Sequence, residues 1–149
     1  MSERKHIEIN IGKICNNKCR FCNTVVERPS DMKFVEFKYV KEQLDDYAKK
    51  GFNSVGFLGG EFTIHPEVRQ IISYAKTSGY KYVYIVSNGR SYKDESFLRE
   101  LIDLGVTRFL VSFHSSDRKL ENYLTDRNMA YEEQVVGIKN LIKNAKFID

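Results

Sequence analysis

Cys15-Asn16-Asn17-Lys18-Cys19-Arg20-Phe21-Cys22 holds all three cysteines of the chain. Their spacing suits a loop wrapped around one compact, soft centre. Thiolates select zinc, Cu(I) or iron–sulfur clusters. Structural zinc takes a closed shell of four ligands, typically from paired knuckles, and no second Cys or His pair follows here. Tetrahedral zinc would have to recruit His114 or an aspartate as its fourth ligand. Electron-transfer clusters ordinarily use four cysteines. A cubane held by three thiolates would leave one iron open to a non-protein ligand, and that points to chemistry at the metal.

Outward from this loop the chain repeats. His6–Ile14 alternates apolar residues at Ile7, Ile9 and Ile11 and reads as a first strand running into the cysteines, with Pro29, Ser30 and Asp31 punctuating the loop beyond. Phe37, Val40, Leu44, Tyr47 and Ala48 follow helical spacing up to Gly51. Ser54–Leu58 reads as a buried strand ending at Gly59-Gly60, and Pro66 opens a helix striped by Val68, Ile71, Ile72 and Ala75 that stops at Gly79. Tyr82–Ser87 is a third strand, with Tyr82 and Tyr84 on one face, read as core in preference to a cavity wall. Phe97, Leu98, Leu101 and Leu104 stripe a third helix ending at Gly105, and Arg108–Phe113 is a fourth strand. A solvated polar loop carrying Asp117, Asn122 and Asp126 leads to a fourth helix marked by Tyr131, Val135, Ile138 and Ile142. Lys146–Asp149 resembles the opening of a fifth strand.

Gly51, Gly79 and Gly105 fall at intervals of 28 and 26 residues, each ahead of a strand. Such βα units force parallel strands with right-handed crossovers. The expected fold is α/β: an arc of about four sequential parallel strands with outer helices, part of a (β/α) barrel, with a doubly wound sheet as the alternative. In either, ligands collect beyond the carboxyl ends of the strands. The cysteine loop, Gly59-Gly60-Glu61, Ser87-Asn88-Gly89 and Ser112–Ser115 all fall there. His65 belongs with the start of the second helix, and His6 with the surface.

The 149 residues suit one domain with a real core. Lys and Arg number 24 against 20 Asp and Glu, a net +4. The cations are dispersed, which argues for a solvated surface and against a nucleic-acid stripe. Residues 1–6 are polar and no apolar stretch follows that could act as a signal peptide or membrane span. The expectation is a cytoplasmic protein, where clustered cysteines argue for metal or catalysis over a disulfide.

From about Ile7 to Ile142, the Cys15/Cys19/Cys22 loop after strand one and Gly59-Gly60-Glu61 after strand two resemble the radical S-adenosylmethionine (radical SAM) enzymes. The resemblance implies a [4Fe–4S] cluster on the three cysteines. Its unique iron would chelate the amino and carboxylate groups of S-adenosyl-L-methionine, and one electron would split the sulfonium into methionine and a hydrogen-abstracting 5′-deoxyadenosyl radical. It also implies an electron donor such as flavodoxin or ferredoxin. Phe21 matches the aromatic position whose backbone lies near adenine, and Gly59 and Gly60 would let backbone approach the ligand. Glu61 would offer its carboxylate to the SAM ammonium. Ser87 and Asn88 match a third-strand motif reaching SAM, although Asn88-Gly89 is also a plain turn former. Ser112 and His114 would contact SAM or substrate, His114 as an orienting group or proton shuttle or as a structural histidine. Phe62 stands where the family commonly has proline, with Thr63 keeping the next position.

The family's barrel usually has about six βα units against the four here, so residues 1–149 match the first part of its core domain. A longer polypeptide, the favoured reading, or a partner or homo-oligomer would complete it, or the arc would be closed by its own termini. Peptide modification and cofactor biosynthesis are both plausible roles by family analogy. A non-catalytic cluster- or SAM-binding module is the competing class.

Overall fold

A computed structural model describes residues 4–23 and 32–145. Strands β1 (His6–Asn10), β2 (Ser54–Leu58), β3 (Tyr82–Ser87) and β4 (Arg108–Val111) form one parallel sheet in the order β1-β2-β3-β4. Helices α1 (Phe37–Lys49), α2 (Val68–Thr77) and α3 (Glu95–Asp103) are the three crossovers. Two more, α4 (Arg118–Thr125) and α5 (Ala130–Asn144), follow β4. Sequential order is that of a partial (β/α) barrel; a doubly wound sheet reverses its order at a switch point. The punctuation expected at Pro29–Asp31 and the fifth strand expected at Lys146–Asp149 lie outside the described residues.

The register explains the core. Ile9 pairs with Phe57 and Phe57 with Ile85, so the pleat turns these residues, with Val55 and Val83, toward the helices. There they are buried against Val40 and Leu44 of α1, Ile71 and Ile72 of α2, and Leu98 and Leu101 of α3. Phe62, in the proline position of the resemblance, is fully buried and stacks on Phe57 with ring centroids 4.8 Å apart. Gly51, Gly79 and Gly105 all take positive φ just beyond the helix ends, as the spacing predicts.

The opposite face is concave and runs through Glu8, Gly56, Tyr84 and Arg108. Tyr82 and Tyr84 belong to it and are half-buried, correcting their assignment to the core. The guanidinium of Arg4 lies 4.0 Å over the Tyr82 ring and that of Arg108 4.9 Å over Tyr84. Arginine cations stack on these rings.

Several boundaries differ from the periodicity, among them strand β4, which ends at Val111 and not at Phe113. Strand β1 stops at Asn10 because Gly12 turns with φ 110°, although Ile11 N–H still reaches Leu58 O at 2.9 Å. The polar stretch after β4 is a helix, α4, capped by Asp117 Oδ1 accepting from Leu120 N–H. Its buried residues are Glu121 and Thr125, so it shows no apolar stripe. Helix α5 turns Ala130, Gln134, Gly137 and Asn144 inward, while Ile142 of the expected stripe is 71% exposed.

Helix α5 packs on the 3-10 turn Arg90–Lys93 that follows β3. A Cβ on Gly137 would penetrate the carbonyl oxygen of Gly89. Alanine favours a helix over glycine by about 1 kcal/mol, but forcing a methyl group into packed backbone costs about 1–3 kcal/mol. Gly137→Ala is therefore expected to lower the urea midpoint with an unchanged m-value. An unchanged or higher midpoint would show that α5 can withdraw freely.

Candidate functional site

The carboxyl ends of the strands surround a cavity of about 530 Å³. Cys15, Cys19 and Cys22 line it together with Phe21, Gly59, Gly60, Ser87, Asn88, Ser112 and His114. Gly89 and Ser115 do not line the wall, nor does Glu61. Its carboxylate is fully buried: Oε1 accepts from Thr63 N–H (3.0 Å), Thr63 Oγ1 (2.6 Å) and Ser87 Oγ (2.9 Å), and Oε2 from Asn88 N–H (2.7 Å). All of these donors belong to the protein. Within the protein this carboxylate clamps the end of β3 onto the turn after β2.

The glycines have a second task within the protein. A Cβ on Gly59 would come 2.5 Å from Gly12 O, and one on Gly60 would overlap Ile14 O. Their bareness lets the β2 turn press against the start of the cysteine loop, where Gly60 N–H donates to Gly12 O and Glu61 N–H to Ile14 O, both at 2.8 Å. What they leave on the cavity wall is backbone.

Several residues without a sequence motif hold the cysteine loop from the other sides. Arg90 Nη1 donates to Asn16 O and Asn17 Oδ1, both at 2.8 Å, while its Nε pairs with Glu133 of α5 at 2.5 Å. Although burial pushes the Glu133 carboxyl up, hydrogen bonds from Lys93 and Arg90 hold it below the usual range. Asn88 Nδ2 donates to Asn16 Oδ1 at 2.6 Å and lies 3.8 Å from Cys15 Sγ. Helix α4 adds backbone contacts, Lys18 N–H to Thr125 O (3.0 Å) and Arg20 N–H to Leu124 O (2.9 Å). Buried Glu121 accepts from the amides of His114 (3.0 Å) and Ser115 (2.8 Å), and buried Gln134 donates to Asn88 O and Ser112 O. Long-range polar contacts of this kind have no sequence period. The only trace was acidic and amide residues at inward helix positions.

The ends of β3 and β4 therefore divide into two kinds of group. Ser87 donates to Glu61 and accepts from Gly89 N–H, so its hydroxyl serves the scaffold. Ser112 and the His114 ring face the cavity, the ring edge-on to Phe21 with centroids 4.6 Å apart. Phe21 is 51% exposed.

The donor set fits an iron–sulfur group. Three free thiols share one cavity rim and none is in a disulfide. Thiolate donors are those that iron–sulfur clusters take. Burial pushes the Cys15 and Cys19 thiols up, with Glu61 adding to the effect at Cys15 and Cys15 itself at Cys19. These are not activated nucleophiles, whose thiolates need depressed pKa values.

Two outcomes follow from this geometry. A bound metal requires thiolate, so loading releases protons; iron–sulfide incorporation is expected to rise between about pH 7 and about pH 8.5. A yield independent of pH would contradict protonated resting thiols. In Glu61→Gln an amide NH₂ must oppose at least one inward-pointing donor, costing about 1–3 kcal/mol. A lowered melting temperature is the expected result, and an unchanged one would return Glu61 to a ligand role.

Comparison with known proteins identifies the family. The sequence profile of the radical SAM superfamily matches residues 9–147. A probable GTP 3′,8-cyclase of Saccharolobus islandicus is 29% identical over 140 residues, covering 91% of this chain and 43% of that protein. The molybdenum cofactor biosynthesis protein moc-5 of Caenorhabditis elegans is 30% identical over 132 residues, covering 86% of this chain and 22% of the relative. The chain thus spans less than half the length of these curated relatives. In fold it is similar to HydG, a maturase of the [FeFe]-hydrogenase, with a TM-score of 0.74 at 11% identity over 94% of this chain and 32% of that one. Among the described residues no helix is long and apolar enough to cross a membrane. The cysteine loop, the sequential parallel arc and the profile match together establish that the chain belongs to the radical SAM superfamily.

Proposed function

We propose that Cys15, Cys19 and Cys22 hold a [4Fe–4S] cluster and that the chain carries out reductive cleavage of S-adenosylmethionine for hydrogen abstraction. The observation that carries this reading is the single cavity in which three thiols, and no fourth, stand beside glycine backbone and polar side chains. When bound, the cluster supplies one electron at an open iron and SAM supplies the 5′-deoxyadenosyl radical. Every other role belongs to residues of the chain. Gly59 and Gly60 offer bare backbone to the methionyl end. Phe21 offers an exposed ring and its backbone to adenine. Ser112 and His114 face the cavity as polar groups for ribose, carboxylate or substrate. Glu61, Ser87 and Arg90 hold these elements at fixed separations.

For the substrate, similarity to GTP 3′,8-cyclases over 91% of the chain favours cofactor biosynthesis on a purine nucleotide over peptide modification. Anaerobic iron–sulfide reconstitution should give a brown protein whose reduced EPR signal changes when SAM is added and which then releases 5′-deoxyadenosine, faster with GTP present. A cluster whose signal ignores SAM would defeat the catalytic reading in favour of a non-catalytic module. Cleavage indifferent to GTP would remove only the substrate assignment. The triple substitution C15A/C19A/C22A should abolish the colour, and a bound cluster in that variant would show that other ligands hold it.

A further inference from the structure

A second cleft lies behind the cysteine loop, about 560 Å³ in volume, and no residue lines both it and the first cavity. Four cations border it: Arg20 from the loop, Arg118 and Lys119 from the first turn of α4, and Arg127. The single carboxylate on its wall, Asp126, is paired with Arg20 at 2.9 Å. Arg118 pairs with Glu132 of α5, and Arg127 Nε donates to Asn16 O at 2.8 Å, so Lys119 is the least compensated charge. Tyr123 also lines the cleft and is 59% exposed, with the Arg20 guanidinium 4.4 Å over its ring, and Leu120 beside it on α4 is 46% exposed. An exposed tyrosine among three arginines has the composition of a protein interface, and the excess of positive charge, Lys119 included, selects an acidic partner.

The cleft is joined to the cysteines through backbone. Arg20 sits between Cys19 and Phe21, its amide bonded to Leu124 O, and Lys18 N–H is bonded to Thr125 O of the same helix. A protein seated on α4 would therefore lie against the back of the cysteine loop while leaving the first cavity open to small molecules. We propose that this basic face of α4 is where an acidic one-electron carrier protein docks to reduce the centre on Cys15, Cys19 and Cys22. The proposal rests on the cluster assignment above. One electron leaves the carrier's reduced flavin, hydroquinone becoming semiquinone, and enters the cluster; no atom is transferred.

The test uses the reconstituted protein and reduced flavodoxin as the acidic carrier, with dithionite as a small reductant. Lys119→Glu breaks none of the contacts described and places an acid in the first turn of a helix, where it is favourable. In combination with Arg118→Gln it should slow reduction by flavodoxin about tenfold at low salt. The parent's rate should fall toward that of the variant as salt shortens the screening length, while the rates with dithionite stay within about twofold of each other, a residual set only by local charge. Equal flavodoxin rates in parent and variant, or a parent rate indifferent to salt, would overturn the docking face. Failure of dithionite to reduce the parent would instead overturn the cluster assignment, so the two failures are told apart.

Discussion

A buried carboxylate holds the site together. Taking such a group out of water costs several kcal/mol, and Glu61 recovers this through donors from Thr63, Ser87 and Asn88. Each hydrogen bond to a charged group is worth about 1.5–3 kcal/mol. Because those donors come from two successive strand ends, the bonds form only when β2 and β3 are in register. The amide of the same residue reaches Ile14 O, one residue before Cys15. One side chain and one amide thus fix the relative positions of three of the four segments that make the cavity.

The fourth segment, Ser112–Ser115, is placed by helices that the hydrophobic pattern describes poorly. Glu121 and Gln134 are fully buried, and each spends its hydrogen bonds on backbone at strand ends. Glu121 Oε1 and Gln134 Oε1 have no hydrogen-bond partner among the described residues, and the bonds that Glu121 Oε2 and Gln134 Nε2 do make render the packing of α4 and α5 directional. Leucines in their place would bury area but would not specify where the His114 and Ser112 backbones come to rest. Arg90 extends the scheme, since its guanidinium joins the turn after β3 to the cysteine loop and to Glu133 of α5.

The arc of strands and the first three helices were legible because their signals are local and periodic: Val40/Leu44, Ile71/Ile72/Ala75 and Leu98/Leu101 mark inward stripes, with a left-handed glycine beyond each helix. The gathering of the cysteines with Gly59, Gly60, Asn88 and His114 was legible too, because parallel βα units send every loop after a strand to the same rim. What could not be read was which groups face the cavity and which face each other. Glu61 also clamps Ser87 and Asn88, and Gly59 and Gly60, whose backbone lines the cavity, also clear Gly12 and Ile14. Those distinctions depend on contacts between residues far apart in sequence. Helix α4 stayed hidden for a related reason, its inward side being Glu121 and Thr125.

The clasp at the mouth of the cysteine excursion carries a consequence for how such chains can diverge. Gly12 bridges to Phe34, Val35 N–H bonds Ile11 O at 3.0 Å, and the buried ring of His65 holds Val35 O at 2.9 Å. The two feet of the excursion are thereby sewn to the barrel independently of what runs between them. Doubling the length of a closed loop costs only about 0.6 kcal/mol. With Ile11 and Val35 pinned in this way, the number of residues between the two feet can change at little cost while the feet keep their places.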